Sequence, residues 1–201
     1  MFDGVGRKAI DPLLTTLGSA LAQRGISANA VSATGFLIGA VAALAIMQQA
    51  YLIGAVLIVL SRLCDGLDGV VARTNGATDF GGYLDIVLDF AFYGIIPFAF
   101  ALADPITNAA AAAALLLSFY VNGASFLAYA ILAAKRGDET EARGKKSIFF
   151  TTGLAEASET LAVFLAACMW PSWFPLLAWV FAAICIYTAF SRMLLARASF
   201  R

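Results

Sequence analysis

The sequence predicts an all-α integral membrane protein: about six transmembrane helices following an N-terminal amphipathic helix that lies in the membrane interface. Composition and the spacing of apolar runs carry that prediction. Of 201 residues, 62% are hydrophobic and only 13% charged, and the mean hydropathy of +0.86 is far above that of a water-soluble domain. Apolar runs recur at about the 20 residues a helix needs to cross roughly 30 Å of hydrocarbon. They fall near 28–49, 51–73, 81–103, 107–134, 147–169 and 173–196, leaving too little chain between them for a soluble domain. Residues 1–201 read as one membrane-embedded domain, with 1–26 an interfacial helix and lead-in and 28–196 a six-helix bundle.

The leading segment places Phe2, Val5, Ile10, Leu13, Leu14, Leu17 and Leu21 at spacings of three and four, with Arg7, Lys8, Asp11 and Arg24 between them. That pattern suits a helix lying in the interface. The first apolar run does not look like a cleaved signal, because some 25 residues precede it and no charged segment leads into a short apolar core.

The spans are ordered by their charges. The 13 Lys and Arg residues all fall on one side: Arg7, Lys8 and Arg24 before the first span, Arg62 and Arg73 toward the end of the second, Lys135, Arg136, Arg143, Lys145 and Lys146 between the fourth and fifth, and Arg192, Arg197 and Arg201 at the C-terminus. The opposite connections, around 48–51, 104–108 and 171–173, contain none. The positive-inside rule therefore places both termini in the cytoplasm. A formal net charge of zero conceals this asymmetry.

Cys64, Cys168 and Cys185 lie within predicted spans, show no metal-ligand spacing and read as small packing residues. There is no histidine, which removes His metal ligands and the commonest general base together. Chemistry in this chain falls to carboxylates.

Those carboxylates concentrate in RLCDGLDGVVARTNGATDFGGYLDIVLDF, residues 62–90, at the second and third spans. On a helix, Asp65, Asp68, Gly69 and Ala72 form one stripe, and Gly81, Asp85 and Asp89 form another. The short segment 74–80 makes the two spans antiparallel neighbours. Asp65 lies eight residues before Arg73 and Asp89 eight after Gly81, so both sit about 12 Å inside their helix ends. The four carboxylates are expected at one depth. On insertion scales each aspartate near a span's centre costs about 2.5 to 3.5 kcal/mol, and Arg62 and Arg73 cannot neutralise four acids. Hard oxygen ligands without His or Cys favour Mg²⁺, Mn²⁺ or Ca²⁺ over zinc.

These residues resemble the signature of the CDP-alcohol phosphotransferase (CDP-alcohol phosphatidyltransferase) family, Asp-x2-Asp-Gly-x2-Ala-Arg followed by Gly-x3-Asp-x3-Asp. Asp65, Asp68, Gly69, Ala72, Arg73, Gly81, Asp85 and Asp89 occupy its eight positions. Seven residues separate Arg73 from Gly81, where many members have eight; the helical register of Gly81 with Asp85 and Asp89 outweighs that loop difference. RGISANAVSATG, residues 24–35, is similar to the segment opening the first span in many members, with Ala28 where proline is frequent.

The resemblance implies a transferase of phospholipid biosynthesis that moves a phosphatidyl group from a CDP-linked lipid such as CDP-diacylglycerol to a small alcohol, releasing CMP. It implies Mg²⁺ or Mn²⁺ held by Asp65, Asp68 and Asp85, with Asp89 a shared ligand and the general base. Gly69, Ala72, Arg73 and Gly81 become substrate-binding positions. A homodimer embedded in membrane lipids, in the bacterial cytoplasmic (inner) membrane with its active site facing the cytoplasm and no nucleic-acid partner, is also expected. The alternatives are an intramembrane cation transporter, which more typically shows internal repeats and broken helices at the midplane, and a non-catalytic membrane assembly protein.

Two signals bear on the acceptor, and they conflict. Lys145 and Lys146 at the start of the fifth span suit a phosphorylated alcohol, though positive-inside bias explains them equally well. On the same span Glu156 and Glu159 lie near the depth of the aspartates, where they would repel a phosphate and suit a polyol or amino-alcohol.

Overall fold

A computed structural model describes residues 3–136 and 157–200. These form helices α1 (Asp3–Gln23), α2 (Ala28–Met47), α3 (Tyr51–Asn75), α4 (Asp79–Ala103), α5 (Pro105–Lys135), α6 (Ala157–Met169) and α7 (Phe174–Ser199), with a single 3₁₀ turn at Pro171–Trp173 before the last. The described residues contain no strand. The protein is an all-α membrane protein, as its composition predicts.

Helices α2, α4 and α5 and the stretch Pro171–Ser199 are long and apolar enough to cross a membrane. α3 is equally long, at 25 residues, and its lower hydropathy comes from Arg62, Asp65, Asp68 and Arg73 crowded into its second half. α6 is the described end of the fifth expected span; residues 147–156 lie outside the described residues.

Local chemistry sets the helix ends. Ser27 caps α2 by accepting from the Ala30 N–H, Thr78 caps α4 by accepting from Gly81, and Asp104 caps α5 by accepting from Thr107, with Pro105 in the first turn. The α1–α2 and α3–α4 turns each carry a glycine at positive φ, Gly25 at 77° and Gly76 at 96°. Only residues 76–78 separate α3 from α4, yet beyond that turn the two acid-bearing helices scarcely touch and α2 packs on both, so the expected side-by-side packing is replaced by a gap between α3 and α4.

Close approach of backbones builds the site-bearing half. α2 packs on both α3 and α4. A Cβ at Gly39 of α2 would stand 2.7 Å from the Phe92 ring of α4 and 3.0 Å from Ser61 Oγ of α3, so a bare backbone is required where the three helices meet. On the other side α5 pairs with α7, and α6 lies against α3 and α7. An aromatic core ties the halves together: Phe92 meets Phe164 edge-on at 6.3 Å, and Phe100 stacks on Phe174 at 4.4 Å.

α1 docks onto α3. Leu14, Gly18 and Ala22, four residues apart, make one face, with Gly18 against Val70 and Leu14 against Gly66. Leu13 and Leu17 stay exposed, at 58% and 47%. The amphipathic helix therefore presents one apolar edge to the bundle and leaves a second for lipid.

Candidate active site and metal centre

Asp65 and Asp68 project from one face of α3, and Asp85 and Asp89 from the facing side of α4. One carboxylate oxygen from each of Asp65, Asp68 and Asp85 comes within 4.8 Å of the others. Asp68 is buried, Asp65 half-buried and Asp85 exposed, so the trio runs from the packed interior to an open edge. Octahedral coordination at about 2.1 Å sets ligand oxygens about 3.0 to 4.2 Å apart, so a small side-chain rotation closes the trio on one ion. Three hard oxygen donors with no nitrogen or sulfur among them fit Mg²⁺ or Mn²⁺.

The surrounding helices orient these carboxylates. Ser32 of α2 donates to Asp68 Oδ2 at 2.5 Å. Arg62 Nη1 joins the fourth acid to the trio: it donates to Asp89 Oδ1 at 2.6 Å and to Asp65 Oδ1 at 3.3 Å. Ser32, Ser61, Arg62, Asp65, Asp85 and Asp89 line a small cleft together with Gly35, Phe36 and Leu88.

The remaining signature residues lie nearer the α3–α4 turn. Arg73 is exposed and folds back along its own helix, with Nη1 3.4 Å from where a Gly69 Cβ would stand. Ala72 beside it is half-buried. A Cβ on Gly81 would lie 3.0 Å from Thr78 Oγ1 and 3.1 Å from Asn29 Oδ1, so the absence of a side chain keeps α4's first turn against α2. Gly81 also gives its N–H to the Thr78 cap.

Of the four acceptor candidates only Glu159 lies among the described residues. It is half-buried and accepts from Ser158 Oγ at 2.9 Å. Lys145, Lys146 and Glu156 lie outside the described residues.

Sequence reasoning missed the contacts of three residues here, two of which it had noted only as charges. Ser32 and Arg62 belong to no acid pattern, although Arg62 sits one helical turn before Asp65. Arg192 of α7 is the third: its Nη1 donates to the Asn122 carbonyl, Asn122 Oδ1 and Ser125 Oγ at 3.0, 3.0 and 2.6 Å. No carboxylate pairs with it among the described residues. Gly123, beside Asn122, packs against the ring of Phe90, which follows Asp89. This cation therefore borders the level of the aspartates.

Comparison with known proteins extends the picture. The CDP-alcohol phosphatidyltransferase family model matches residues 26–190. Inner membrane protein YnjF of Escherichia coli (strain K12) is 44% identical over 184 residues, covering 92% of this chain and 89% of that protein. Archaetidylinositol phosphate synthase of Pyrococcus horikoshii is 32% identical over 84 residues, 41% of this chain and 45% of the relative. The solved structure of Mycobacterium tuberculosis phosphatidylinositol phosphate synthase (PgsA1) with CDP-DAG bound has the same fold, with a TM-score of 0.66 over 90% of this chain and 92% of that one at 21% identity. PgsA1 in complex with manganese and citrate scores 0.65 over 90% and 87%, also at 21% identity.

Proposed function

The chain belongs to the CDP-alcohol phosphatidyltransferase family, and we propose that it transfers the phosphatidyl group of CDP-diacylglycerol to the hydroxyl of a small alcohol, releasing CMP in a reaction that needs Mg²⁺ or Mn²⁺. It is a transferase of substituted phosphate groups. The observation that carries the finer reading is the convergence of Asp65, Asp68 and Asp85, with Asp89 joined to Asp65 through Arg62.

Asp65, Asp68 and Asp85 would hold the divalent ion, which when bound supplies positive charge to the donor's pyrophosphate. Arg73, free to move at the mouth, pairs with a donor phosphate. Gly69 and Ala72 leave room for the nucleotide to lie against α3. Asp89 accepts the proton of the acceptor hydroxyl as that oxygen bonds to the lipid-linked phosphorus and the bond to CMP breaks. The low dielectric of the half-buried site strengthens each of these interactions.

The acceptor we favour is a phosphorylated polyol. Arg192 places a half-buried cation in the bundle near the level of the aspartates, held by neutral acceptors alone among the described residues, and such a charge gains from an anionic partner. The names of PgsA1 and the archaeal relative, both synthases of inositol phosphate lipids, point the same way. Lys145 and Lys146 would add to that charge, with Glu156 and Glu159 contacting hydroxyls. The family membership of the chain displaces the transporter and assembly-protein readings.

A bacterial inner membrane, as in the name of YnjF, with both termini and the active site in the cytoplasm, gives the enzyme access to a soluble acceptor and releases CMP where it is made. Assembly as a homodimer completes the proposal. The test is CMP release by purified protein from CDP-diacylglycerol with glycerol 3-phosphate, inositol phosphate, inositol, serine, choline or ethanolamine, with and without Mg²⁺ or Mn²⁺. Activity with inositol phosphate or glycerol 3-phosphate that is lost on chelation supports it. Metal-independent release, or a preference for an amino-alcohol, refutes the corresponding part.

A further inference from the structure

Arg62 lies outside the aspartate signature, yet it makes the shortest ion pair among the described residues, 2.6 Å to Asp89. The same Nη1 donates to Asp65 Oδ1 at 3.3 Å, and Asp65 and Asp89 are within hydrogen-bonding reach of each other. One nitrogen therefore stands where the two carboxylates converge. The rest of the guanidinium is fixed around it. Its carbon lies 3.9 Å over the ring of Phe92 on α4, which is fully buried, and Nη2 donates to Ser61 Oγ at 3.4 Å. Ser61 is buried in turn and donates to the Gly35 carbonyl of α2, so α2, α3 and α4 all help to hold the group. Only 14% of the side chain is exposed. Nε is buried without a partner, an unmet donor that most buried arginines avoid.

A gap flanked by two carboxylates is where a centre takes a second small divalent ion, since one or two carboxylates with water or substrate oxygens suffice to hold it. In this chain the gap already carries a positive charge. We propose that Arg62 is a built-in cation standing where a second divalent ion would bind, so that the centre takes one exchangeable ion, on Asp65, Asp68 and Asp85, and none between Asp65 and Asp89. This rests on the functional reading above, which places an ion on the trio. A second ion could enter only by driving the guanidinium off Phe92 and Ser61, and among the described residues no other carboxylate pairs with Arg62 to receive it. If the guanidinium stayed, two cations would lie side by side in a half-buried site, where repulsion is poorly screened. The charge count fits one ion, because four carboxylates against Arg62 and one divalent ion leave a single negative charge. Direct substrate binding by Arg62 is the weaker reading, since both Nη groups are engaged and Phe92 covers one face.

The test counts metal on the full-length protein in detergent, without donor or acceptor, in wild type, Arg62→Gln, Arg62→Lys and the Arg62→Gln/Asp89→Asn double variant. Equilibrium dialysis gives Mn²⁺ bound per chain at saturation, electron paramagnetic resonance shows whether bound ions are coupled, and melting curves show that each variant is folded. Wild type is expected to bind one Mn²⁺ with the spectrum of an isolated ion. Arg62→Gln should bind two, which share Asp65 at about 3.5 to 4 Å from each other, close enough for spin coupling to broaden the spectrum. The second ion should disappear in the double variant. Arg62→Lys, which returns a cation without the stacked plane, should bind one. Two ions on wild type would overturn the proposal. So would a folded Arg62→Gln that still binds one, the result expected of an ion pair with a purely structural role. If Arg62→Gln does not fold, the wild-type count decides, one ion supporting the proposal and two ending it. Wild type that binds no Mn²⁺ and releases no CMP from CDP-diacylglycerol refutes the functional reading and the proposal together, whereas CMP release by protein holding two ions refutes the proposal alone.

Discussion

Replacing Ser32 by alanine removes one hydroxyl from α2 and should be felt at the metal. Ser32 Oγ lies 2.5 Å from Asp68 Oδ2 and 3.1 Å from the Ala28 carbonyl, and Asp68 is the buried member of the trio at 7% exposure. With one hydroxyl proton and two acceptors, the carboxylate is the stronger claimant, so the bond fixes Oδ2 and with it the orientation of the carboxylate. A hydrogen bond to a charged group contributes about 1.5 to 3 kcal/mol. At about 1.4 kcal/mol per decade that is roughly 10- to 150-fold, which overlaps the 10- to 100-fold loss typical when a partner of a metal ligand is removed. The loss should appear in metal affinity rather than in the chemical step, because Asp68 is assigned to the ion and not to the proton. Half-saturating Mn²⁺, read from CMP release against metal concentration and from direct binding, should rise about 10- to 100-fold in Ser32→Ala. At saturating metal, kcat should stay within about threefold of wild type, and Ser32→Thr, which retains the hydroxyl, should restore most of the affinity. Half-saturation within twofold of wild type would refute the orienting role, and a collapse of kcat at saturating metal would move Asp68 into proton transfer.

Asp89→Asn should abolish transfer while leaving CDP-lipid and Mn²⁺ binding largely intact, whereas Asp68→Asn should weaken metal binding and turnover together; near-normal turnover in Asp89→Asn would end its assignment as base. Gly39→Val puts a side chain where a Cβ already meets Phe92 at 2.7 Å, so it should cost about 1 to 3 kcal/mol and lower the thermal midpoint by on the order of 5 °C, with activity falling because Arg62 rests on that ring; an unchanged melting curve would show that the three helices separate freely. In a background lacking Cys64, a cysteine at Ile106, fully exposed just after the start of α5, should react with an impermeant thiol reagent added outside intact cells, and one at Ala198 should not. Labelling at Ala198 would reverse the proposed orientation.

The helices were legible because the bilayer simplifies the code. A span needs only length and apolarity, and the caps at Ser27, Thr78 and Asp104 are visible as residue types at the expected ends. The aspartates were legible for a related reason: Asp65, Asp68, Asp85 and Asp89 stand out against an apolar background and share helical faces by arithmetic alone. Arg62 was visible as a charge but not as a partner of Asp89, since its contact crosses from α3 to α4 and depends on which rotamer Phe92 permits. Ser32 was quieter still, because a serine at the start of a membrane helix satisfies itself on the carbonyl four residues back, as it does here with Ala28. The docking of α1 through Leu14, Gly18 and Ala22 was concealed by its leucines, whose pattern fits either lipid or protein.

A deeper consequence concerns how the membrane tolerates this site. Four carboxylates against one buried arginine leave an excess of negative charge beside hydrocarbon, and insertion scales price each aspartate at about 2.5 to 3.5 kcal/mol near a span's centre. The arrangement lessens that cost in two ways. Asp85 is exposed, so one acid keeps water. Asp89 and Asp65 share Arg62, which converts two of the remaining charges into one excess charge on a cation held by Phe92. What remains is concentrated at Asp68 and the open side of the trio, where a divalent cation has most to gain. The same arginine that makes two of the acids bearable in the bilayer therefore leaves the remaining negative charge gathered where the proposed divalent cation would sit.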